Sequence, residues 1–399
     1  MFQKILKTIL LFVGLFFAGY YIGVRGIIFD VSIKKPYSFA VKNQLAYSTK
    51  VDFSKFWQVW DASIANQNKA TVDKLYYNAM VGMVGSLGDP YTAFLPPHVN
   101  KTIGDDLNGK YQGIGAELGM DNGQLMVVAP IDGSPAKAAG LKSGDKLLKI
   151  DGVTTAGITV SEAAGKIRGD AGTVVVLTAK TGDDPERDIK ITRGVISVAS
   201  VKWQDKGNGV AYIRISSFGA KTNVEWDKAV SDITMQMSEL NTVVVDVRGN
   251  PGGYLQSAVH IIEEFYNGKP ALWEEDAAGK QTPLMANRYG SFMKVPTVYV
   301  LIDQGSASAS EIVAGALRAE VHAKLIGVKS FGKGTVQDAQ DFKDGSGIHI
   351  TIAKWLTPDK IWVHKVGLTP DVVVEITPED VKNGVDPQLN KVLEFANPK

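Results

Sequence analysis

The chain has no cysteine. That excludes disulfides, thiolate metal sites, a cysteine nucleophile and a lipidated amino-terminal cysteine. Histidine is scarce: His98, His260, His322, His349 and His364 are the full set. They are scattered, and none forms H-E-x-x-H or another metal-ligand spacing. Each reads as a surface or packed histidine, and no metal or other cofactor is implied. A serine enzyme built from this chain therefore needs a base other than histidine. An excess of either charge is also missing, with 43 Lys and Arg against 42 Asp and Glu. Bulk attraction to nucleic acid is not expected.

What is present is ordinary globular material in quantity. Apolar residues make up 45% of 399 and charged ones 21%, which suits two or three domains with real cores. The amino terminus departs from that average. Lys4 and Lys7 lead into an uncharged apolar stretch, Thr8 to Val24, which Arg25 closes. Such a stretch is either a cleaved signal peptide or an uncleaved signal anchor. It is near the lower length limit for a spanning helix, Tyr20 and Tyr21 suit a membrane interface, and no convincing A-x-A cleavage site follows. A single-pass anchor over residues 1–28 is favoured, with the rest of the chain outside the cytoplasm, in a periplasm or at the cell exterior.

Residues 29–102 form a region of mainly helical pattern, with Phe56, Val59, Trp60 and Ile64 at helix-face spacing. Its end, GSLGDPYTAFLPP (85–97), reads as turn chemistry. Residues 103–197 look like a separate module. It holds the strand QLMVVAPI (124–131), the helix VSEAAGKIRG (160–169) and the strand TVVVLTAK (173–180). About 90 residues suit one small domain. From 198 to 399 strands and helices alternate. Strands are expected at 209–218, 242–249, 297–304 and 347–358, and helices through Trp226 and Ile233 and over 254–266. This is an α/β layered core.

Two strand-to-helix junctions stand out in that core, where such folds gather their chemistry. The first is DVRGNPGGYL (246–255). A helix start offers unpaired N–H groups and a positive dipole end, which suits an oxyanion hole. A tight turn is the plainer reading. The second is QGSASASE (304–311), where Ser306, Ser308 and Ser310 alternate with alanines. Ser308 and Glu311 have the spacing of a capping box. A serine between strand and helix can also face outward, and the N–H groups of Gly252 and Ala309 would then point at the same space. Downstream, KSFGKGTVQ (329–337) offers a base. Lys333 and Gln337 differ by four, so on a strand they share a face with Thr335. Burial would lower the amine's pKa, and Gln337 could orient it without adding a charge that re-protonates it. A solvated surface lysine is the plainer reading.

The module at 103–197 resembles a PDZ domain through AAGLKSGDKLLKIDG (138–152) and GIGA (113–116). The resemblance implies capture of C-terminal peptide tails. Gly113, Ile114, Gly115 and Ala116 would form the carboxylate-binding loop, and the adjacent strand would add the peptide to its edge. Ile114 and Leu118 would surround the last side chain.

From about residue 50 to 395 the chain resembles the carboxyl-terminal processing peptidases, the tail-specific Ser/Lys proteases. The shared tracts are GDPYTAFLPP, the PDZ tract, YIRISSF, DVRGNPGG, GSASASEIVAGAL, SFGKGTVQ, TIAKWLTP and VGLTPDVVVEI, in that order and spacing. The resemblance implies a crotonase-like protease core with an inserted PDZ domain. It makes Ser308, the middle serine, the nucleophile, Lys333 the base and Gln337 its partner. It gives Arg168 a regulatory part linking PDZ position to the core, where a surface arginine at a helix end is the plainer reading. It further implies an endopeptidase acting on extracytoplasmic proteins recognised by their tails, and assembly as a homo-oligomer or with an adaptor. The ending, 385–395, would serve such contacts or pack as a terminal helix. Val247, Gly249 and the loop 359–367 depart from the common pattern. The alternative is a membrane-tethered PDZ adaptor with an inactive core. A crotonase-type acyl-CoA enzyme fits poorly with the inserted module, and a trypsin-like protease lacks its G-N-S-G-G element.

Overall fold

The computed structural model describes residues 12–17, 19–20, 27–32, 38–43, 53–65 and 67–397, apart from 122, 132, 159, 183 and 198. Its contacts divide into two compact units, residues 1–78 and 79–399. Much of the expected anchor, residues 1–28, lies outside the described residues. Among those described, no helix is long and apolar enough to cross a membrane.

In the first unit, Ile27–Ser32 and Ser38–Asn43 pair as an antiparallel hairpin. The helix Ser54–Ile64 follows and has no buried residue. The face marked by Phe56 and Val59 therefore meets no core: these two are 44% and 60% exposed. Its aromatic rings pack on one another instead, as in the edge-on contact of Phe56 with Trp57 at 5.2 Å.

The second unit carries the module and the α/β core. The strands Arg187–Thr192, Val174–Lys180, Lys146–Ile150, Gln124–Pro130 and Ala116–Asp121 lie side by side in that order, all antiparallel. Val175, Leu177 and Ala179 alternate into its core, where the helix Val160–Ile167 adds Ala163 and Ile167. Ala116–Asp121 is the edge of this sheet. Lys110–Gly113 and Gly194–Ser197 also pair, so the chain enters and leaves the module through one two-stranded ribbon.

The core sheet runs Val201–Asp205, Val210–Ile215, Thr242–Asp246, Thr297–Ile302, Lys324–Gly327, Val372–Val373. Only its first pair is antiparallel. Thr242–Asp246 is buried throughout, as a central parallel strand must be. Val243, Val245, Val298 and Val300 face the helices Thr222–Gln236, Leu255–Ile262 and Ala309–Val321. Val244, Tyr299 and Leu301 face the other way, onto Val392 of the terminal helix Pro387–Ala396. The ending thus packs against the core. The helix expected over 254–266 stops at Ile262. Buried Glu264 turns aside to accept from Arg288 and from the Ser291 amide.

A second sheet holds Gln281–Ala286, Lys269–Glu275, Gly347–Leu356 and Thr335–Asp341. The short strand Ala93–Leu95 joins it, with Ala93 opposite His349. This pairing carries the GDPYTAF tract to the lysine loop.

Candidate active site

The strand Thr297–Ile302 and the helix Ala309–Val321 are joined by the turn that holds the three serines. Their fates differ. Ser306 and Ser310 are fully buried. Ser306 Oγ donates to Val247 O at 2.9 Å, and Ser310 Oγ donates to Asn250 O at 2.8 Å. Both stitch this turn to the neighbouring 246–253 turn. Ser308 stands between them, half-buried, at φ 55° and ψ −115°. A residue with a Cβ is held there only by its surroundings. Gly252, at φ 103°, packs directly against it. A Cβ on Gly252 would lie 2.8 Å from Ser308 Cβ and 3.0 Å from Ala309 N. Gly252, Ser308 and Ala309 are therefore brought together. Ala309 opens the helix, where an N–H has no intrahelical acceptor. The Gly252 N–H donates to Asn250 Oδ1 at 2.9 Å, inside its own turn.

Glu311 ties this turn to the lysine. It is fully buried. Its Oε1 accepts from Ser330 Oγ at 2.6 Å and Gly332 N at 2.7 Å. Its Oε2 accepts from Ser308 N at 3.0 Å and Lys333 N at 2.8 Å. Four donors satisfy a carboxylate that would otherwise be costly to bury. The amide nitrogens of Ser308 and Lys333 share one oxygen, so they lie no farther apart than two hydrogen bonds end to end, about 6 Å.

Lys333 lies in an irregular stretch before the strand Thr335–Asp341, not within it. The register of that strand also shifts between Val336 and Gln337. The strand spacing of Lys333 and Gln337 therefore does not apply, because the chain around Gly332, at φ 91°, has not yet entered the ladder. Gln337 Nε2 donates to Thr335 Oγ1 at 2.8 Å and Thr351 Oγ1 at 3.2 Å.

Burial pulls the Lys333 amine below its ordinary value, while the Asp89 carboxylate works the other way. The amine stands 5.1 Å from the centre of the Tyr91 ring. Asp89 accepts from Thr92 Oγ1 at 2.7 Å and Tyr91 N at 3.2 Å, which fixes the tract that carries the ring. Burial and the Lys333 charge hold His349 below its usual value. Burial and Lys365 do the same to His364, whose Nδ1 is buried without a partner. The sequence announces Glu311 as a cap and 85–97 as a turn and a family tract, but not their places beside the lysine. The S-x-x-E spacing and the GDPY tract were the available signals.

In the module, Ile114 is 3% exposed and belongs to the core. Leu118 is half-buried on the edge strand. Gly115 has φ 73°, and a Cβ there would reach within 2.5 Å of Ser134 Cβ. The Ile114 and Gly115 carbonyls accept from Ala136 N at 2.8 Å and Ile131 N at 2.9 Å, and Gly113 and Ala116 flank this turn as strand ends. Arg168 pairs with Asp106 at 3.6 Å and lies over the Tyr111 ring at 5.0 Å. Asp106 belongs to the helix Pro97–Leu107, whose Leu107 O accepts from Ala220 N of the core at 3.2 Å.

Residues 209–374 match Peptidase family S41, and residues 126–181 match the PDZ domain. The class is thus a peptidase that carries a PDZ domain. Within it, the chain belongs to the carboxy-terminal processing proteases of that family. It is 37% identical to the carboxy-terminal processing protease CtpB of Bacillus subtilis (strain 168), over 94% of this chain and 78% of that protein. It is also 37% identical to CtpA of the same strain, over 77% of this chain and 66% of that protein. A solved structure of a photosystem II D1 C-terminal processing protease is 25% identical, with a TM-score of 0.51 over 82% of this chain and 89% of its own. A putative S41 protease from Bacteroides fragilis NCTC 9343, 18% identical, shares the fold with a TM-score of 0.54 over 78% of this chain and 87% of its own.

Proposed function

We propose that the chain is a serine endopeptidase in which Ser308 attacks the scissile carbonyl and Lys333 is its base. Neutral Nζ takes the Ser308 proton as the new C–O bond forms, and the resulting ammonium returns it to the leaving amine. Lys333 then activates the water that releases the acyl group. Ala309 N–H stabilises the oxyanion, and Gly252 N–H joins it once freed from Asn250 Oδ1. Gln337 orients the amine after turning from Thr335. One observation carries this reading: a single Glu311 oxygen binds the amides of both Ser308 and Lys333. The buried amine, with its lowered pKa, supports it.

The PDZ module, residues 103–197, takes C-terminal tails at the loop 113–116 and the edge strand bearing Leu118. Arg168 passes its position to the core through Asp106. The core, residues 198–399, is crotonase-like. Residues 1–28 anchor the chain, 29–102 form the helical region, and the enzyme acts on proteins outside the cytoplasm. An inactive tail-binding adaptor is not favoured beside relatives that are processing proteases.

Ser308→Ala and Lys333→Ala should each abolish cleavage of unfolded substrates with apolar tails. Persistent cleavage by the serine variant would end the assignment. Mass spectrometry of material trapped by Ser308→Ala in its native envelope would name the substrates.

A further inference from the structure

We propose that Trp362 is a positioning residue for the Lys333 amine, acting through the Gly334 carbonyl and through an aromatic stack. The inference rests on Lys333 being the base. Residues 331–334 have no regular structure, and only Gly334 O, at the edge of the strand, takes a backbone bond from the neighbouring strand. Their backbone groups must be fixed from outside. Glu311 takes the N–H groups of Gly332 and Lys333. Lys365 N donates to Gly332 O at 2.9 Å. Two indoles take the next two carbonyls: Trp355 Nε1 donates to Lys333 O at 2.8 Å, and Trp362 Nε1 donates to Gly334 O at 2.8 Å. Trp355 N also reaches Gly334 O, at 3.2 Å.

The two tryptophans are not equivalent. Trp355 is 1% exposed and belongs to the core, so packing accounts for it. Trp362 is 40% exposed, and burial does not account for a large ring there. It stacks on His364 with centroids 5.0 Å apart and planes 13° from parallel. His364 meets Tyr91 edge-on at 5.9 Å, and Tyr91 lies against the Lys333 amine at 5.1 Å. Trp362 thus bears on the lysine from both ends, through the Gly334 carbonyl next to its backbone and through His364 and Tyr91 to its amine. A Cβ on Gly334 would lie 2.8 Å from both His364 N and Trp362 Nε1, so glycine is required where the 362–364 segment packs against it.

This arrangement holds Nζ at one distance from Ser308 and keeps water from it. The charged and titratable groups around the amine are Asp89 and Tyr91, Glu311, His349, and His364 with Lys365. Replacing Trp362 removes none of these charges; of the titratable groups it changes the packing only of His364, on which it stacks, and of Lys354, whose Nζ lies 4.7 Å from the centre of its ring. In the full-length enzyme, Trp362→Phe removes the N–H and keeps a ring. It should lower kcat about tenfold near neutral pH with KM nearly unchanged. As water reaches the amine, the rising limb of the kcat/KM–pH profile should move to higher pH. His364→Ala breaks the stack and leaves the Gly334 bond, and should move the limb the same way with a smaller loss. A purely structural Trp362 would change melting temperature and active fraction but leave the limb in place, and that result overturns the proposal. Ser308→Ala run alongside separates the two failures. Residual cleavage there defeats the site itself. A dead serine variant beside a wild-type Trp362→Phe profile defeats only the part given to Trp362.

Discussion

Glu311 does more than its S-x-x-E spacing announces. It accepts from Ser308 N and Lys333 N and closes over Ser330 and Gly332 as well. Glu311→Gln keeps the volume but turns one acceptor into a donor facing donors. It should cost about 2–4 kcal/mol of stability and most of the activity. Urea unfolding together with kcat checks this, and a wild-type value of both would refute it. The lysine gives a pH signature. Its folded pKa lies below the ordinary 10.5, and in the proposed mechanism its neutral form is the active one. Activity should therefore rise with pH through that lowered pKa. Asp89 pushes the value up, so Asp89→Asn should move the rising limb to lower pH. For stability, the unfolded chain holds this proton more tightly between the lowered pKa and 10.5, so stability rises with pH across that window. Lys333→Met should remove the slope, as denaturant midpoints measured across it would reveal.

The regular elements were legible because apolar runs announce buried strands. The stretch 242–249 became Thr242–Asp246, and 297–304 became Thr297–Ile302. The misses have physical causes. The helix after Gly253 ended early because Glu264 found better partners off the axis. Lys333 was placed on a strand by spacing, but spacing cannot see that Gly332, at φ 91°, keeps the chain out of the ladder. Nor can it see that Ser306 and Ser310 spend their hydroxyls on backbone carbonyls and leave Ser308 distinct. The turn around Gly252 yields a sharp prediction. Gly252→Ala would press a methyl 2.8 Å from Ala307 O and Ser308 Cβ at a positive φ. Activity should fall about a hundredfold or more, with a lower melting temperature. An active, unshifted variant would show that the glycine is not needed for the site.

Across the molecule, the terminal helix reaches back to the same turn. Arg248 bonds Asp246 Oδ2 at 2.6 Å and Asp386 Oδ2 at 2.8 Å, and Asp386 caps the helix through Leu389 N at 2.9 Å. Asp386→Ala should cost about 1 kcal/mol, discounted for the carboxylate's partial exposure. It should also slow turnover, because Arg248 belongs to the 246–253 turn. Calorimetry and steady-state kinetics on one preparation test the link, and a stability loss without a rate change would break it. Such long-range ties were invisible in sequence, where 385–395 had two equal readings.

The shared carboxylate oxygen also limits how such a protease can be silenced. Prising the serine and lysine backbones apart would take one donor from a buried carboxylate that keeps its other three, at about 1–3 kcal/mol. A distant ligand typically supplies about 1–3 kcal/mol of coupling. A signal arriving from the module therefore has little to spare for moving this floor. Lighter parts, such as the swing of one amide side chain or the admission of a tail, move at less cost.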